Sequence, residues 1–226
     1  NYFDLVLIHG DPNFIAFDET FARMSEISDI SSYTGYVVDP APARDANGPG
    51  AGEVIVSTGG GAVSDDMLEA AIGARALSSL SAAPWRVLIG HNLPEATFAA
   101  YRDTAPAGIT VERSRPDFPQ LLANCRLSIS QGGYNTVKEL MAARTPAVCI
   151  PYAGGLESEQ TLRCRLLADR GALEIIEPDA VNPQTVAAAA DRAAAGTRAP
   201  ASGLDLGGAQ NSAEILKSAL NRHRMA

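Results

Sequence analysis

From Val54 onward the chain alternates strictly between short apolar runs and longer segments of helical period. The runs are Val54–Thr58, Arg86–Ile89, Ile109–Glu112, Leu127–Ser130, Ala147–Tyr152 and Leu173–Ile176. The helical segments are Ser64–Ser81, Glu95–Thr104, Phe118–Asn124, Asn135–Arg144, Glu157–Arg170 and Pro183–Ala195. Near-continuous apolar runs of this length suit strands that are covered on both faces. Their alternation with helices predicts an α/β, Rossmann-like domain: a parallel six-stranded sheet with helices on both faces. In such sheets ligands sit beyond the carboxyl ends of the strands, so the polar residues that follow each run are the candidates for function.

The flanking regions read differently. Residues 1–38 hold one strand at Phe3–Ile8, a predicted helix at Glu19–Ser28 and an extended piece at Tyr36–Val38. Residues 39–52, DPAPARDANGPGAG, have the composition of a linker. A 38-residue segment with one strand cannot bury its own core, so residues 1–38 are read as the tail of a truncated N-terminal domain. The main domain then spans 53–205. Residues 206–226 form a C-terminal helix whose apolar stripe, Ile215, Leu216 and Leu220, is expected to pack on the N-terminal remnant.

Composition narrows the function classes. The 226 residues are 46% hydrophobic, as in a globular protein, and no apolar run approaches the roughly 20 residues that span a bilayer. A net charge of −8 without a Lys/Arg cluster argues against nucleic acid as a partner. Three cysteines, Cys125, Cys149 and Cys164, read as reduced core thiols and suggest the cytoplasm. No spacing of His, Cys, Asp or Glu calls for a metal or cofactor.

Ser128–Gln160 is the densest segment: strand, Gly-Gly, helix, strand, and a polar loop opening another helix. That order sets two helix N-termini at one end of the sheet, with Asn135, Thr136, Glu139, Glu159 and Gln160 beside them. Free N–H groups and a partial positive charge suit such ends to an anion, for example a diphosphate. Asn135, Thr136 and Glu139 share a helix face, and a carboxylate there can accept from two ribose hydroxyls. The competing reading is a capping box, Thr136-x-x-Glu139, that closes the helix start. Gly132 and Gly133 can admit a phosphate or only a tight turn, and Gly59-Gly60-Gly61 can meet a ligand or a facing domain through their backbone or form a purely structural turn. Glu157 and Glu159 can simply oppose a helix dipole, whereas the amide of Gln160 can both donate and accept. His9, His91 and His223 have no partner visible in the sequence and receive no role.

Together these residues resemble the C-terminal, donor-binding half of GT-B glycosyltransferases, above all family 28, the MurG-like N-acetylglucosaminyl transferases. The likeness runs through residues 53–205. It is most specific at Ser130-Gln131-Gly132-Gly133-Tyr134-Asn135-Thr136-Val137-Lys138-Glu139, then Pro146 to Pro151, then Glu159-Gln160. FDLVLIHGDP and YTGYVV look like a bacterial branch of predicted glycosyltransferases, in which residues 1–38 would end an acceptor domain. The resemblance implies a UDP-sugar donor, transfer of a hexosyl or N-acetylhexosaminyl group, and an unidentified acceptor. In its terms Glu139 holds the ribose, and Gly132, Gly133 and the amides near Asn135 and Thr136 face the diphosphate. Ser114 and Arg115 meet the uracil, Glu159 and Gln160 the sugar hydroxyls, and Gly59, Gly60 and Gly61 line the interdomain cleft. The catalytic base would lie in an N-terminal domain absent from this chain, leaving the chain alone inactive, with any peripheral membrane contact made through that domain. Alternatives are a nucleotide-binding subunit of a split transferase, and a nucleotide-sugar 2-epimerase or hydrolase of the same fold. An open edge at Phe3–Ile8 would also allow a homodimer.

Overall fold

The computed structural model describes residues 2–59, 65–152, 159–196 and 203–225, with only the backbone of the last three. Two compact units are present: Pro40–Ser202, and a smaller one made of Asn1–Asp39 with Gly203–Ala226. The smaller unit begins with β1 (Val6–Ile8) and β2 (Ser31–Tyr33). The larger contains β3 (Val54–Ser57), α1 (Asp65–Ala74), β4 (Trp85–Ile89), α2 (Glu95–Asp103), β5 (Ile109–Arg113) and α3 (Phe118–Asn124). It continues through β6 (Leu127–Gln131), α4 (Tyr134–Ala143), β7 (Ala147–Ile150), α5 (Glu159–Asp169), β8 (Glu174–Ile175) and α6 (Pro183–Ala195). Helix α7 (Gly208–Met225) belongs to the smaller unit.

The expected parallel six-stranded sheet is present, in the order β5-β4-β3-β6-β7-β8. Alternate residues feed two cores, as the strand period of two requires. Val54 and Val56, with Trp85, Val87, Ile89, Leu127 and Ile129, pack against Met67, Leu68 and Ala71 of α1, Phe98 of α2 and Val186 of α6. Ile55 and Leu88 face the other way, onto Leu121 of α3. The alanines of α6 let it lie close to α1, where a Cβ on Gly73 would stand 2.9 Å from Cγ of Pro183.

Several boundaries differ from the sequence reading. Helix α1 stops at Ala74 rather than Ser81, because the Asp191 carboxylate accepts from both hydroxyls and one amide of Ser78 and Ser79 and draws them off the helical path. The helix expected at Glu19–Ser28 is instead a series of 3-10 turns at Phe17–Glu19, Met24–Glu26 and Ser28–Ile30. Phe21, Met24, Ile27 and Ile30 recur every three residues, the period of that tighter helix. Strand β2, which follows, lies parallel to β1 and went unrecognised in the sequence because its residues, SSY, carry no apolar run.

In the smaller unit Tyr36 N–H donates to the Asp205 carbonyl, Gly208 N–H to the Tyr36 carbonyl, and Asn211 Nδ2 to the Thr34 carbonyl. The first turn of α7 is thereby fastened to residues 34–36, while Leu216 and Leu220 further along remain exposed. Residues 43–50, of linker composition, are fastened within the larger unit. The buried Asn124 accepts from Asp45 N–H (2.8 Å) and donates to the Pro49 carbonyl (2.8 Å), and Gln120 donates to the Ala43 carbonyl. Asn124→Ala removes both of these bonds from a buried side chain to the loop. It is expected to cost about 1–3 kcal/mol in urea unfolding, and a loss under about 0.5 kcal/mol would mean that the loop is not held this way.

Candidate functional site

The strand order reverses between β3 and β6, which pair in parallel from Val54↔Leu127 to Ser57↔Ser130. Chains leaving the carboxyl ends of these two strands diverge and leave a crevice. There lies a cavity of about 430 Å³. Ser57 and Gly59 border it from β3, and Gly90, His91 and Asn92 from the β4–α2 loop. Ser114, Arg115 and Pro116 follow β5, Phe118 and Pro119 open α3, and Thr136 and Glu139 project from α4.

Of the residues singled out in the sequence, Gly59, Ser114, Arg115, Thr136 and Glu139 meet in this cavity. Gly59 has φ +68°, and a Cβ there would find open space. Its glycine therefore answers to conformation rather than crowding. Gly60, Gly61 and Glu157 lie outside the described residues.

Helix α4 removes the capping-box reading of Thr136 and Glu139. Its N-cap is Gly133, without a side-chain capping bond, and Thr136 is its third residue. Thr136 and Glu139 therefore do not form a capping box, and Glu139 stands in the second turn facing the cavity. The first helical bond at this end runs from Val137 N–H to the Gly133 carbonyl. The N–H groups of Asn135 and Thr136 consequently have no acceptor among the described residues, as at any helix start left uncapped.

Gly132 and Gly133 serve different ends from the shared one expected. Gly132 N–H donates to the Ile150 carbonyl and Gly133 N–H to the Gln131 carbonyl, so neither amide is open to a phosphate. A Cβ on Gly132 would lie 2.5 Å from Sγ of Cys164, so this glycine lets α5 close on the turn before α4. Gly133 has an ordinary φ of −63° with open space where a Cβ would stand. Neither strain nor packing requires a glycine there, which leaves room for a ligand over the helix start.

Glu159 and Gln160 do not border the cavity. Glu159 pairs with the buried Arg163 one turn along α5, and Gln160 Oε1 accepts from Tyr152 N–H (3.1 Å) at the end of β7. Arg115 holds Asp117 through two bonds (2.8 and 2.6 Å) and draws its carboxyl below the usual range. Arg113 points elsewhere: it donates to the carbonyls of Gly90 and Leu93 and lies 4.1 Å from the Phe98 ring centroid. It thus props the loop that carries His91 and Asn92. His9, in the smaller unit, pairs with Thr34 Oγ1 at 2.9 Å.

Three features escaped the sequence reading. His91 and Asn92 border the cavity, and only the position of His91 after a strand hinted at it. Gln131, at the carboxyl end of β6, has a buried Oε1 without a partner among the described residues. Arg163, 4% exposed, has a buried Nε in the same condition. No group of His, Cys, Asp and Glu among the described residues could hold a metal, and no described helix is long and apolar enough to cross a membrane.

A parallel six-stranded sheet covered by helices, with an uncapped helix start and a carboxylate beside its reversal point, defines a domain of the Rossmann-like class. The chain belongs to glycosyltransferase family 28: residues 54–203 match the family's C-terminal domain. It is 34% identical over 70 residues to the UDP-N-acetylglucosamine--N-acetylmuramyl-(pentapeptide) pyrophosphoryl-undecaprenol N-acetylglucosamine transferase of Natranaerobius thermophilus, covering 31% of this chain and 19% of that protein. The namesake from Nitrobacter winogradskyi is 37% identical over 81 residues, 35% of this chain and 22% of that protein. These matches thus span only about a fifth of each relative's length. The calicheamicin glycosyltransferase CalG4 superposes with a TM-score of 0.66 at 22% identity, over 98% of this chain and 53% of its own. MurG of Acinetobacter baumannii gives 0.54 at 20%, over 88% and 71%. The spinosyn rhamnosyltransferase SpnG, complexed with thymidine diphosphate, gives 0.61 at 18%, over 99% and 57%. At these identities the likeness establishes the fold, that of GT-B glycosyltransferases.

The two glycines should separate in a stability assay. Gly132→Ala is expected to lose about 1–3 kcal/mol in urea unfolding through the clash with Cys164. Gly133→Ala should lose less than about 1 kcal/mol, the usual cost of alanine at an N-cap. Equal losses would contradict the packing role given to Gly132.

Proposed function

We propose that this chain is the donor-nucleotide half of a glycosyltransferase, and that it binds a UDP-sugar whose hexosyl or N-acetylhexosaminyl group passes to an acceptor. The observation that carries this reading is the first two turns of α4. There the open N–H groups of Asn135 and Thr136 and the carboxylate of Glu139 stand about one turn apart beside a cavity of about 430 Å³. The diphosphate takes the helix start, where backbone donors and the dipole favour negative charge. Glu139 accepts from the ribose hydroxyls. The base enters the cavity between the loops after β4 and β5, against Ser114 and Arg115, with His91 and Asn92 on its other side. The sugar extends toward Glu159 and Gln160 at the start of α5. In transfer the leaving diphosphate gains charge, and preorganised amides at a helix end stabilise it without reorganising. The chain by itself binds donor and does not transfer.

A thymidine diphosphate sugar is the second reading, supported by the superposition with SpnG in complex with that nucleotide. Calorimetry with UDP, UDP-N-acetylglucosamine, thymidine diphosphate and GDP decides between the two. Micromolar UDP binding is expected, and Glu139→Ala should weaken it at least about tenfold, equal to about 1.4 kcal/mol. Tighter binding of thymidine diphosphate would select the second reading. Absence of nucleotide binding by the folded protein, or an unchanged affinity in Glu139→Ala, would overturn the assignment of the site.

A further inference from the structure

Two cationic side chains meet at the start of α4, Lys138 with Glu139 near it and Arg163 paired with Glu159. Tyr134 is the first residue of the helix, and two cations converge on its ring: Lys138 Nζ at 4.3 Å and Arg163 Cζ at 5.2 Å from the centroid. Arg163 belongs to α5 and reaches Tyr134 because Gly132, lacking a side chain, lets the adjacent Cys164 close on the preceding turn. Among the described residues Arg163 forms one ion pair, with Glu159, whose side chain is about half exposed, while that of Arg163 is 5% exposed. Its Nε is buried without a partner among the described residues.

Such an arrangement costs stability, since a desolvated donor left unpaired is unfavourable and an apolar side chain of similar length would fill the space without that cost. What the guanidinium adds is a fixed charge against Tyr134, the first residue of a helix whose Asn135 and Thr136 amides have no acceptor among the described residues. Lys138 records the imbalance: burial lowers its pKa, Glu139 opposes that shift, and Arg163 adds to it.

We propose that Arg163 is a positioning residue of this site that acts through Tyr134. Its buried charge beneath the first turn of α4 makes the site prefer a ligand with two phosphates over one with a single phosphate. The proposal rests on the donor-nucleotide reading and assigns the charge discrimination within it. Glu159 acts in the opposite sense, because its carboxylate offsets part of the Arg163 charge. Electrostatic action through a ring and a helix turn is screened, so the effect is graded rather than absolute.

The test is the ratio of dissociation constants for UMP and UDP, with uridine as the uncharged reference, by calorimetry at low ionic strength. Arg163→Met is expected to lower the UMP/UDP ratio about fivefold, the size of a single screened charge at this range, while uridine affinity stays within about twofold. Arg163→Lys should retain most of the ratio. Glu159→Gln, on the half-exposed side of the pair, should raise it about twofold. An unchanged ratio in Arg163→Met with uridine binding intact would overturn the proposal and leave the donor site standing. Equal weakening of all three ligands would assign Arg163 to packing alone and likewise overturn it. Should Arg163→Met fail to fold, Glu159→Gln decides, and an unchanged ratio there counts against the proposal. Wild-type protein that binds none of the three would refute the donor-nucleotide reading itself, and this inference with it.

Discussion

The parallel pairing of β3 with β6 is the constraint from which the site follows. Those strands lie side by side although two others, β4 and β5, come between them in the chain, so the sheet grows outward in both directions from their pairing. Each crossover then has to leave the carboxyl end of its strand and return over a face. Ser57 and Gly59 at the end of β3 and the loops after β4 and β5 gather on one side of the reversal, and the start of α4 stands on the other. Buried valines, isoleucines and leucines on both sheet faces hold this register, because a slip by one residue would exchange the two cores. Residues distant in sequence, Ser57, His91, Ser114 and Glu139, are thus brought to one cavity by backbone pairing before any of them bonds to another.

Close approach between α5 and the turn before α4 is the second organising contact. Gly132 makes it sterically allowed, and the buried thiols of Cys149 on β7 and Cys164 on α5, which hydrogen-bond, make it continuous with the core. That bond and burial both push the Cys149 thiol well up, which keeps it protonated and inert. The result is an acidic protein with a buried guanidinium, that of Arg163, against the first residue of one helix. Net charge and local chemistry therefore bear on different things: a net charge of −8 disfavours polyanion partners, while an uncapped helix start suits a single anionic ligand.

The sheet was legible in the sequence because its strands are buried on both faces, which writes them as apolar runs independent of tertiary detail. β2 was not legible, since SSY in the smaller unit has no such run, and the neighbouring segment repeats every three residues, which single-sequence reading easily takes for α-helix. Glu139 was legible as a candidate by its spacing from Gly-Gly, but the capping box could be set aside only once the helix boundary was known. A shift of the N-cap from Thr136 back to Gly133 changes which N–H groups are open and removes the capping role altogether. Gly132 and Gly133 look equivalent in a string of letters and differ only in what lies beyond their missing side chains. Arg163 and Gln131 were invisible for the same reason, because burial and an unfilled hydrogen bond belong to three dimensions.

The central claim is that the nucleotide sits across the β3/β6 reversal on the start of α4. A titration of 15N-labelled protein with UDP, followed by amide NMR shifts, tests it most directly. The account predicts that the largest changes fall on Asn135, Thr136 and Glu139, with further changes in the loops holding His91 and Ser114. Shifts confined to the opposite edge of the sheet, around Arg126 and Gly196, or spread evenly without saturation, would contradict it.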